Sequence, residues 1–394
     1  MYIKQAFNFK HDWWLYVAGV AIIFIAVLLG QIPYTVILIA KAVESGLDLQ
    51  NLDMNQTMTL LESNLNLFLM LLSFAAGLLG IFFVVKVLHN QSIKTLTTSR
   101  PKIDWRRFWF AFLFWGIISS GMVLIDHYLS PENYVFNFKL VPFLILAAIA
   151  IVLVPLQTSF EEYFFRGYLM QGLAVISNNK SFPLLIVFTA LLSVIYFLLD
   201  RFIDLYLVEY IYNFLLKIII FLFVSAMLFY YIFYTKVFSR IINYSFYSLI
   251  YKLFSTKLTP LIITSFTFGL LHIANPEIEK LGYILLVHYI GTGFFLGIIT
   301  LMDDGLELAL GFHAANNLFT ALLVTADWTA FQTNSILLDV SDPDIGNFEI
   351  FASVLIVYPI LILIFAKVYK WSNWKEKLTG SVTNEPVPTT NVSE

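Results

Sequence analysis

Long apolar runs recur along the whole chain, and they constrain its fold more than any other feature. A helix that crosses a membrane needs about 20 mostly apolar residues. Here 59% of the residues are hydrophobic and only 12% are charged, whereas soluble domains average about 25% charged residues. The sequence therefore predicts an all-α, polytopic transmembrane helical bundle of about 8–10 spans. The candidate spans are roughly 15–40, 66–88, 108–125, 140–158, 183–199, 211–237, 259–274, 281–302, 306–325 and 350–367.

The charge and cysteine content exclude several classes of function. A net charge of −3 gives no general basic face, so no nucleic-acid partner is expected. The absence of cysteine excludes disulfides, cysteine-ligated zinc, iron–sulfur clusters and a thiol nucleophile. Any metal would have to be bound by His, Asp or Glu. The first apolar run is too long for a signal peptide, so we expect it to remain as an anchor.

The distribution of Lys and Arg predicts the orientation of the chain in the membrane. Cytoplasmic loops carry an excess of Lys and Arg, and the basic segments here are 89–107 and the tail after residue 367. The loop after the first span and the loop 327–349 are acidic instead. We therefore expect both termini and the 89–107 loop in the cytoplasm, the 327–349 loop outside, and the protein in a bacterial inner (cytoplasmic) membrane.

Two adjacent glutamates and an arginine directly follow the apolar run 140–158. An ionisable group at the centre of a membrane helix costs about 2.5–3.5 kcal/mol, so such groups invite a functional explanation. On a helix, Glu162 and Arg166 are four residues apart and can form an ion pair. Glu161 lies about 100° round the helix from Glu162 and can stay free to titrate. The alternative is a charged helix end at the membrane interface.

Two further apolar segments carry histidines. His272 follows Phe268 by one helical turn, and His313 precedes Asn317 by the same spacing. At that spacing His313 and Asn317 lie about 40° apart on a helix, so both can address one bound group. For His272 alone the alternative is a hydrogen-bonded packing residue. For His313 and Asn317 it is a polar contact between helices.

The three motifs together resemble one membrane-protein family. The pattern Glu-Glu-x-x-x-Arg, Phe-x-x-x-His and His-x-x-x-Asn, in that order, resembles the CPBP family of CAAX-protease and bacteriocin-processing proteins, also called Abi. That family is related to the type II CAAX prenyl endopeptidases. The motifs lie within about 155–325, under half of the chain. The matching residues are Glu161, Glu162, Arg166, Phe268, His272, His313 and Asn317.

The resemblance implies hydrolysis of a peptide bond inside the membrane, in a membrane-associated or lipidated peptide or protein. Glu161 and His272 would share and activate one water, as a general base. His313 and Asn317 would donate hydrogen bonds to the oxyanion. Glu162 and Arg166 would orient the Glu161 helix, with Phe268 as a further structural residue of the motif set.

The metal requirement is left open by the residues. Glu161, His272 and His313 would make a His₂Glu set of the kind that catalytic zinc accepts, and the family is often described as metalloproteases. The sequence contains no His-Glu-x-x-His, and the family mechanism runs through glutamate and histidine without a required metal. We therefore favour a metal-free site, with zinc as the alternative.

The expected organisation follows the motifs. Residues 1–139 form N-terminal transmembrane helices without a recognised motif, and 140–325 form the catalytic core, with an inserted helical hairpin at about 181–257 that should be peripheral to catalysis. Residues 326–378 form an external loop and the last transmembrane helix, and 379–394 a disordered tail. One conflict remains: in the predicted topology His272 lies nearer the external side than Glu161 and His313, although the mechanism needs all three together.

Two other classes of function compete with a protease. One is a non-proteolytic membrane scaffold, or an immunity-type protein that binds a partner. The other is a transporter that relays protons through Glu and His, which predicts a polar path across the bilayer and paired repeats. The intact set of Glu161, His272, His313 and Asn317 favours the hydrolase. A serine nucleophile is disfavoured because no Gly-x-Ser-x-Gly is present.

Overall fold

The fold is a bundle of long helices. The structure is a computed structural model and describes residues 1–47, 54–206, 236–342 and 347–382, with scattered residues between 217 and 231. The long helices are α1 (Trp13–Glu44), α2 (Ser63–Val87), α3 (Trp105–Leu129), α4 (Leu140–Glu162), α5 (Phe182–Tyr206), α6 (Leu258–Leu271), α7 (Leu285–Asp303), α8 (Glu307–Leu323) and α9 (Tyr358–Tyr369). The predicted class, a polytopic helical bundle, is confirmed.

Short helical segments connect the long ones. The α-helical segments are Met54–Thr59, Ile93–Thr97, Met170–Ser177, Lys236–Ile241, Ser245–Phe254, Pro276–Leu281, Asn347–Ala352 and Trp374–Thr379. The 3₁₀ segments are Tyr2–Asn8, Pro131–Asn133 and His272–Ala274. Two π-helical stretches, Tyr163–Leu169 and Ser353–Val357, continue α4 and precede α9.

Fewer segments are full-length spans than the apolar runs predicted. Among the described residues, six helical stretches are long and apolar enough to cross a membrane. The runs at 183–199 and 259–274 form shorter apolar helices, Phe182–Leu198 and Leu258–Ala274, and α8 has only 17 residues. The run at 211–237 lies mostly outside the described residues. Composition alone cannot separate a helix that crosses a membrane from one that ends inside the protein.

The N-terminal residues and the last described residues, up to Val382, meet at one end of the bundle, which we call the basic end. Tyr2 N donates to Asp304 Oδ1 at 2.9 Å, and Lys377 Nζ lies 2.8 Å from Asp304 Oδ2. Val382 is buried and its N–H donates to Ser255 O at 2.9 Å, so order extends past residue 379, where the tail was expected to begin. Which compartment the basic end faces remains a prediction.

A small sheet closes the opposite end, which we call the sheet end. Its strands are β1 (Tyr134–Phe136), β2 (Val324–Thr325) and β3 (Leu337–Asp339), in the order β1–β3–β2. β3 pairs antiparallel with β1 and parallel with β2. The all-α prediction did not include this sheet, because strands of two or three residues leave no periodic pattern in a sequence. β1 precedes α4 and β2 follows α8, so the sheet links two helices that carry motif residues.

Two close helix crossings fix the helices that carry the polar motifs. A Cβ placed on Gly293 in α7 would lie 2.6 Å from Ser265 O in α6. Gly311 in α8 packs against the backbone of Phe108 in α3 so closely that a side chain there would collide. Neither crossing tolerates a side chain, so both set the register of the helices that meet there.

An ion pair network at the basic end holds the start of α8. Arg100 Nη1 lies 3.0 Å from Glu307 Oε2, and Arg100 Nη2 lies 2.7 Å from Asp303 Oδ2. Both carboxylates are buried. Losing one partner of a buried pair typically costs about 3–5 kcal/mol. The network therefore fixes the position of the first turn of α8 relative to the segment that precedes α3.

Candidate active site

The first motif lies within one continuous helix. α4 passes into the π-helical stretch Tyr163–Leu169 and then into Met170–Ser177, a total of 38 residues from the start of α4. Glu162 and Arg166 are 0% exposed, and Glu161 is 8% exposed. The alternative of a charged helix end at the interface is therefore wrong. π-Helical turns inside α-helices occur frequently at functional sites.

Glu162 binds both Arg166 and His313. Its Oε1 atom lies 3.0 Å from Arg166 Nη1 and 2.8 Å from His313 Nδ1. Arg166 also donates to the carbonyl oxygen of Gly293 at 3.3 Å, and its guanidinium carbon lies 4.2 Å from the ring centre of Phe268. An ionised carboxylate only accepts hydrogen bonds, so His313 carries a proton on Nδ1. One carboxylate thus orients the arginine and the histidine ring together.

Glu161 has different partners from its neighbour. Gln157 Nε2 donates to Glu161 Oε1 at 2.5 Å. His313 Nε2 lies 3.6 Å from Glu161 Oε2, which is too long for a direct hydrogen bond. Glu161 Oε2 accepts no hydrogen bond from the described part of the chain. This oxygen is therefore a buried carboxylate oxygen without a hydrogen bond from the described residues, with His313 as a close neighbour.

Asn317 lies one turn after His313 on α8, and its amide is directed at α4. Asn317 Nδ2 donates to Gln157 Oε1 at 3.1 Å. An amide nitrogen carries two protons, so Asn317 can donate a second hydrogen bond to another acceptor. His313 and Asn317 thus face the same region, and each makes one hydrogen bond to α4, His313 to Glu162 and Asn317 to Gln157.

His272 lies at the point where α6 ends. Its Nδ1 atom is 2.8 Å from Phe268 O, and a carbonyl only accepts, so the neutral ring has its lone pair on Nε2. The ring stacks on Tyr289 with 4.3 Å between centroids. α6 has 14 residues and a 3₁₀ turn continues it to Ala274, so the predicted run 259–274 forms one short apolar helix that ends where the run ends. His272 lies near that end and lines the same cavity as Glu161 and His313.

One cavity of about 540 Å³ brings the motif residues together. Ligand pockets typically have volumes of about 300–1,000 Å³. The wall at the sheet end is formed by residues 324–326 and 328–331. In the part of the chain that the structure describes, no residue of the predicted insertion 181–257 lines this cavity. The site residues that line it are Glu161, Phe268, His272, His313 and Asn317.

Glu277 lines the cavity wall from outside the membrane-spanning segments. Its Oε1 atom accepts a hydrogen bond from Ala330 N at 2.8 Å, which ties Pro276–Leu281 to the segment after β2. Burial raises the pKa of the Glu277 carboxyl above its ordinary value. The hydrogen bond from Ala330 and the neighbouring ring of His272 act in the opposite direction, with smaller effect.

The possible zinc set does not fit a metal site as it is arranged. Glu161, His272 and His313 line the same cavity, but among the described residues no three His, Asp or Glu side chains are grouped so that they could hold a metal ion. His313 and His272 each bond through Nδ1, so Nε2 is the ring nitrogen that either residue would offer to a metal or a water.

The sequence patterns marked neither the two amides that bind motif side chains, Gln157 and Asn316, nor Trp115, which binds Asn316. Gln157 connects Glu161 to Asn317, and Trp115 Nε1 donates to Asn316 Oδ1 at 3.0 Å. A signal for Gln157 existed, because it is an amide one turn before Glu161 in an apolar run. Trp115 gave no such signal, since only tertiary packing brings α3 to α8.

Comparison with known proteins agrees with the second and third motifs. Residues 240–319 match the sequence profile described as type II CAAX prenyl endopeptidase Rce1-like. That stretch contains His272 and His313 but not Glu161. The chain is also 24% identical over 301 residues to YyaK of Bacillus subtilis (strain 168), a protein described as uncharacterized. The match covers 76% of this chain and 72% of YyaK.

This chain is similar to the type II CAAX prenyl endopeptidases. The resemblance predicted from the motifs is thereby confirmed. No solved structure matches the chain. The family similarity and the six apolar helices make it an integral membrane protein with a CAAX-protease-like core.

Proposed function

We propose that this protein is an intramembrane endopeptidase that cleaves a membrane-associated or lipidated peptide or protein. The observation that carries the proposal is the convergence of Glu161, His272, His313 and Asn317, from three helices, on one cavity. Amide hydrolysis needs an activated water and donors for the developing oxyanion. The four side chains supply both kinds of group within a largely buried site.

In this proposal, Glu161 and His272 activate the water. Glu161 Oε2 makes no hydrogen bond within the described residues, and the Nε2 lone pair of His272 is available because Nδ1 donates to Phe268. A water held by these two atoms loses a proton as it attacks the carbonyl carbon. General-base catalysis of this kind is typically worth about 10²–10⁴-fold in rate. The side chain that accepted this proton then donates it to the amine that leaves when the C–N bond breaks.

In this proposal, Asn317 and His313 stabilise the oxyanion. Asn317 donates through its second N–H, because the first is bound to Gln157. His313 donates from Nε2 only when both ring nitrogens are protonated, since its Nδ1 proton already faces Glu162. Losing one oxyanion donor typically costs about 10²–10³ in kcat.

The proposed substrate class is broader than the family name. The similar family is named for CAAX prenyl substrates. For this chain we propose a peptide bond held near the membrane, because the motif residues lie within apolar helices and the cavity wall is mostly apolar. A lipid anchor is one way to bring such a bond to the cavity.

Comparison of membranes that contain the wild type or Glu161→Gln tests the proposal. Mass spectrometry of peptide termini should find termini that are present with the wild type and absent with Glu161→Gln. The exposed Glu132→Gln serves as the matched control and should retain them. Identical termini in all three samples would overturn the proposal and favour a scaffold that binds a partner without cleaving it.

A further inference from the structure

A continuous line of hydrogen bonds crosses from α3 through α8 to Glu161 on α4. It begins at the indole of Trp115 and passes through three amide side chains. The Trp115 link is 3.0 Å, the link between the two neighbouring asparagines is 3.1 Å, and Gln157 makes links of 3.1 and 2.5 Å. In order, the members are Trp115, Asn316, Asn317, Gln157 and Glu161.

The two ends of this line fix the direction of every link. An indole N–H at Trp115 can only donate, and an ionised carboxylate at Glu161 can only accept. Each amide between them has one oxygen and one nitrogen within the line. The only arrangement that makes all four links has each amide accept on the Trp115 side and donate on the Glu161 side. The orientation of the amides is therefore determined by chemistry at both ends.

The direction matters because it decides what Gln157 presents to Glu161. With this polarity Gln157 presents Nε2, a donor, to Glu161 Oε1. The other oxygen, Oε2, then lies 3.6 Å from His313 Nε2. With the opposite polarity Gln157 would present a carbonyl oxygen to the carboxylate, and two acceptors would repel each other. Gln157 is 4% exposed, so water cannot easily replace its donor.

We propose that Gln157 is a positioning residue, and that the line from Trp115 aligns it. Gln157 holds one oxygen of Glu161, which fixes the carboxylate so that the other oxygen lies beside His313 Nε2. The same amide holds Asn317 in place through its oxygen, so the proposed base and an oxyanion donor share one support. This inference rests on the proposed function, which it deepens by assigning a residue outside the three motifs.

Substitutions at Gln157 test the donor directly. Gln157→Leu removes both contacts, and Gln157→Glu keeps the size and the acceptor for Asn317 but loses the donor at neutral pH. Loss of a partner that orients an active group typically costs about 10–100-fold in activity, and here the loss should be in kcat with little change in KM.

Substitutions at the far end test the direction. Asn316→Asp accepts from Trp115 but cannot donate onward, so the line then has an acceptor at each end. Either the link to Asn317 breaks, or Asn317 and Gln157 reverse and present an acceptor to Glu161. Trp115→Phe removes the first donor only, and the carboxylate still orients the rest. We expect Asn316→Asp to lower kcat more than Trp115→Phe does. Exposed Asn179→Asp is the matched control. The opposite ranking would overturn the proposed polarity.

A measurement of stability separates this inference from the proposed function. Thermal unfolding in detergent micelles is compared for Gln157→Leu, Glu161→Leu and the double variant. Bonded residues give non-additive shifts in Tm, whereas independent residues give additive ones. If the wild type cleaves peptides and Gln157→Leu keeps its kcat, the positioning role is overturned and the proposed function stands. If the wild type cleaves nothing, the proposed function fails, and additive shifts would then overturn the line of bonds itself.

Discussion

His313 Nδ1 lies 2.8 Å from Glu162 Oε1, so the third motif is bonded directly to the first. Sequence spacing assigned Glu162 to Arg166 alone, and the structure gives the carboxylate a second partner. Glu162 therefore sets the position of the guanidinium and the tautomer of His313 at once. The two adjacent glutamates differ in kind, because Glu161 has no arginine partner and faces the cavity.

Glu162→Gln should lower the stability of the protein as well as its activity. The substitution leaves the fully buried Arg166 without its carboxylate, and removing one partner of a buried pair typically costs about 3–5 kcal/mol. It also removes the acceptor that fixes His313. Thermal unfolding of purified protein in detergent, followed by tryptophan fluorescence, measures the loss.

The matched variant Glu161→Gln should abolish turnover while it leaves unfolding nearly unchanged. Glutamine has almost the same volume as glutamate and keeps an oxygen that accepts from Gln157. Equal losses of stability for the two substitutions would contradict the division of roles between the neighbouring glutamates.

His272→Ala should lower kcat by about 10²-fold or more, as expected for loss of a general base. The effect on Tm should be small, because the hydrogen bond that the ring makes within the described residues is to Phe268 O in its own helix. Peptide cleavage by the purified variant measures kcat and KM. Tyr289→Phe, which keeps the stacked ring, is the control and should remain active. Retention of wild-type kcat by His272→Ala would remove His272 from the mechanism.

A chelator should change neither the rate of cleavage nor the unfolding temperature. The described His, Asp and Glu side chains are not grouped as a metal site, and the proposed water is activated by Glu161 and His272. Peptide cleavage with and without a strong chelator, together with elemental analysis of the purified protein, checks this expectation. One stoichiometric zinc that is lost on substitution of His272 or His313 would contradict the metal-free mechanism.

Glu277 should make stability depend on pH. Its folded pKa is raised above the ordinary value of 4.5 by burial, so the folded state binds the proton more tightly than the unfolded state. The resulting stabilisation is present below pH 4.5 and is lost as the pH rises through the raised folded pKa. Glu277→Gln keeps an acceptor for Ala330 N and cannot ionise.

The unfolding temperature of Glu277→Gln, measured relative to wild type, should therefore increase as the pH rises from about 4 to 7. The exposed Glu279→Gln is the matched control and should follow the wild type. A wild type that gains stability over Glu277→Gln with rising pH would contradict the sign of this dependence.

Cysteine labelling should place the two ends of the bundle in different compartments. The native chain has no cysteine, so single cysteines can be placed at the exposed positions Asp327, at the sheet end, and Lys102, at the basic end. In intact cells, an impermeant reagent should label Asp327→Cys, and should label Lys102→Cys only after lysis. The reverse pattern would invert the predicted topology and the side from which substrates reach the cavity.

Much of the active site could be predicted from spacing, because an i, i+4 interval places side chains on one helical face wherever the helix lies. The ion pair of Glu162 with Arg166 could be predicted because it requires only that this segment is helical, and the segment is helical. The partners of Glu161 needed more: Gln157 is local, but its bond to Asn317 depends on how α8 packs on α4. The meeting of His272 with Glu161 and His313 at one cavity could not be predicted, because counting residues along one apolar run does not show how three helices pack.

The sequence by itself determined the membrane class of this protein, its helical secondary structure and its similarity to a protease family. Those properties follow from composition, from the lengths of apolar runs and from the order of three short motifs. Only the tertiary structure decided which side chains meet. His313 lies between two glutamates because α8 packs on α4, and Trp115 meets Asn316 because the close crossing at Gly311 brings α8 against α3. Such crossings depend on the fit of two surfaces, which residue spacing along one chain does not encode.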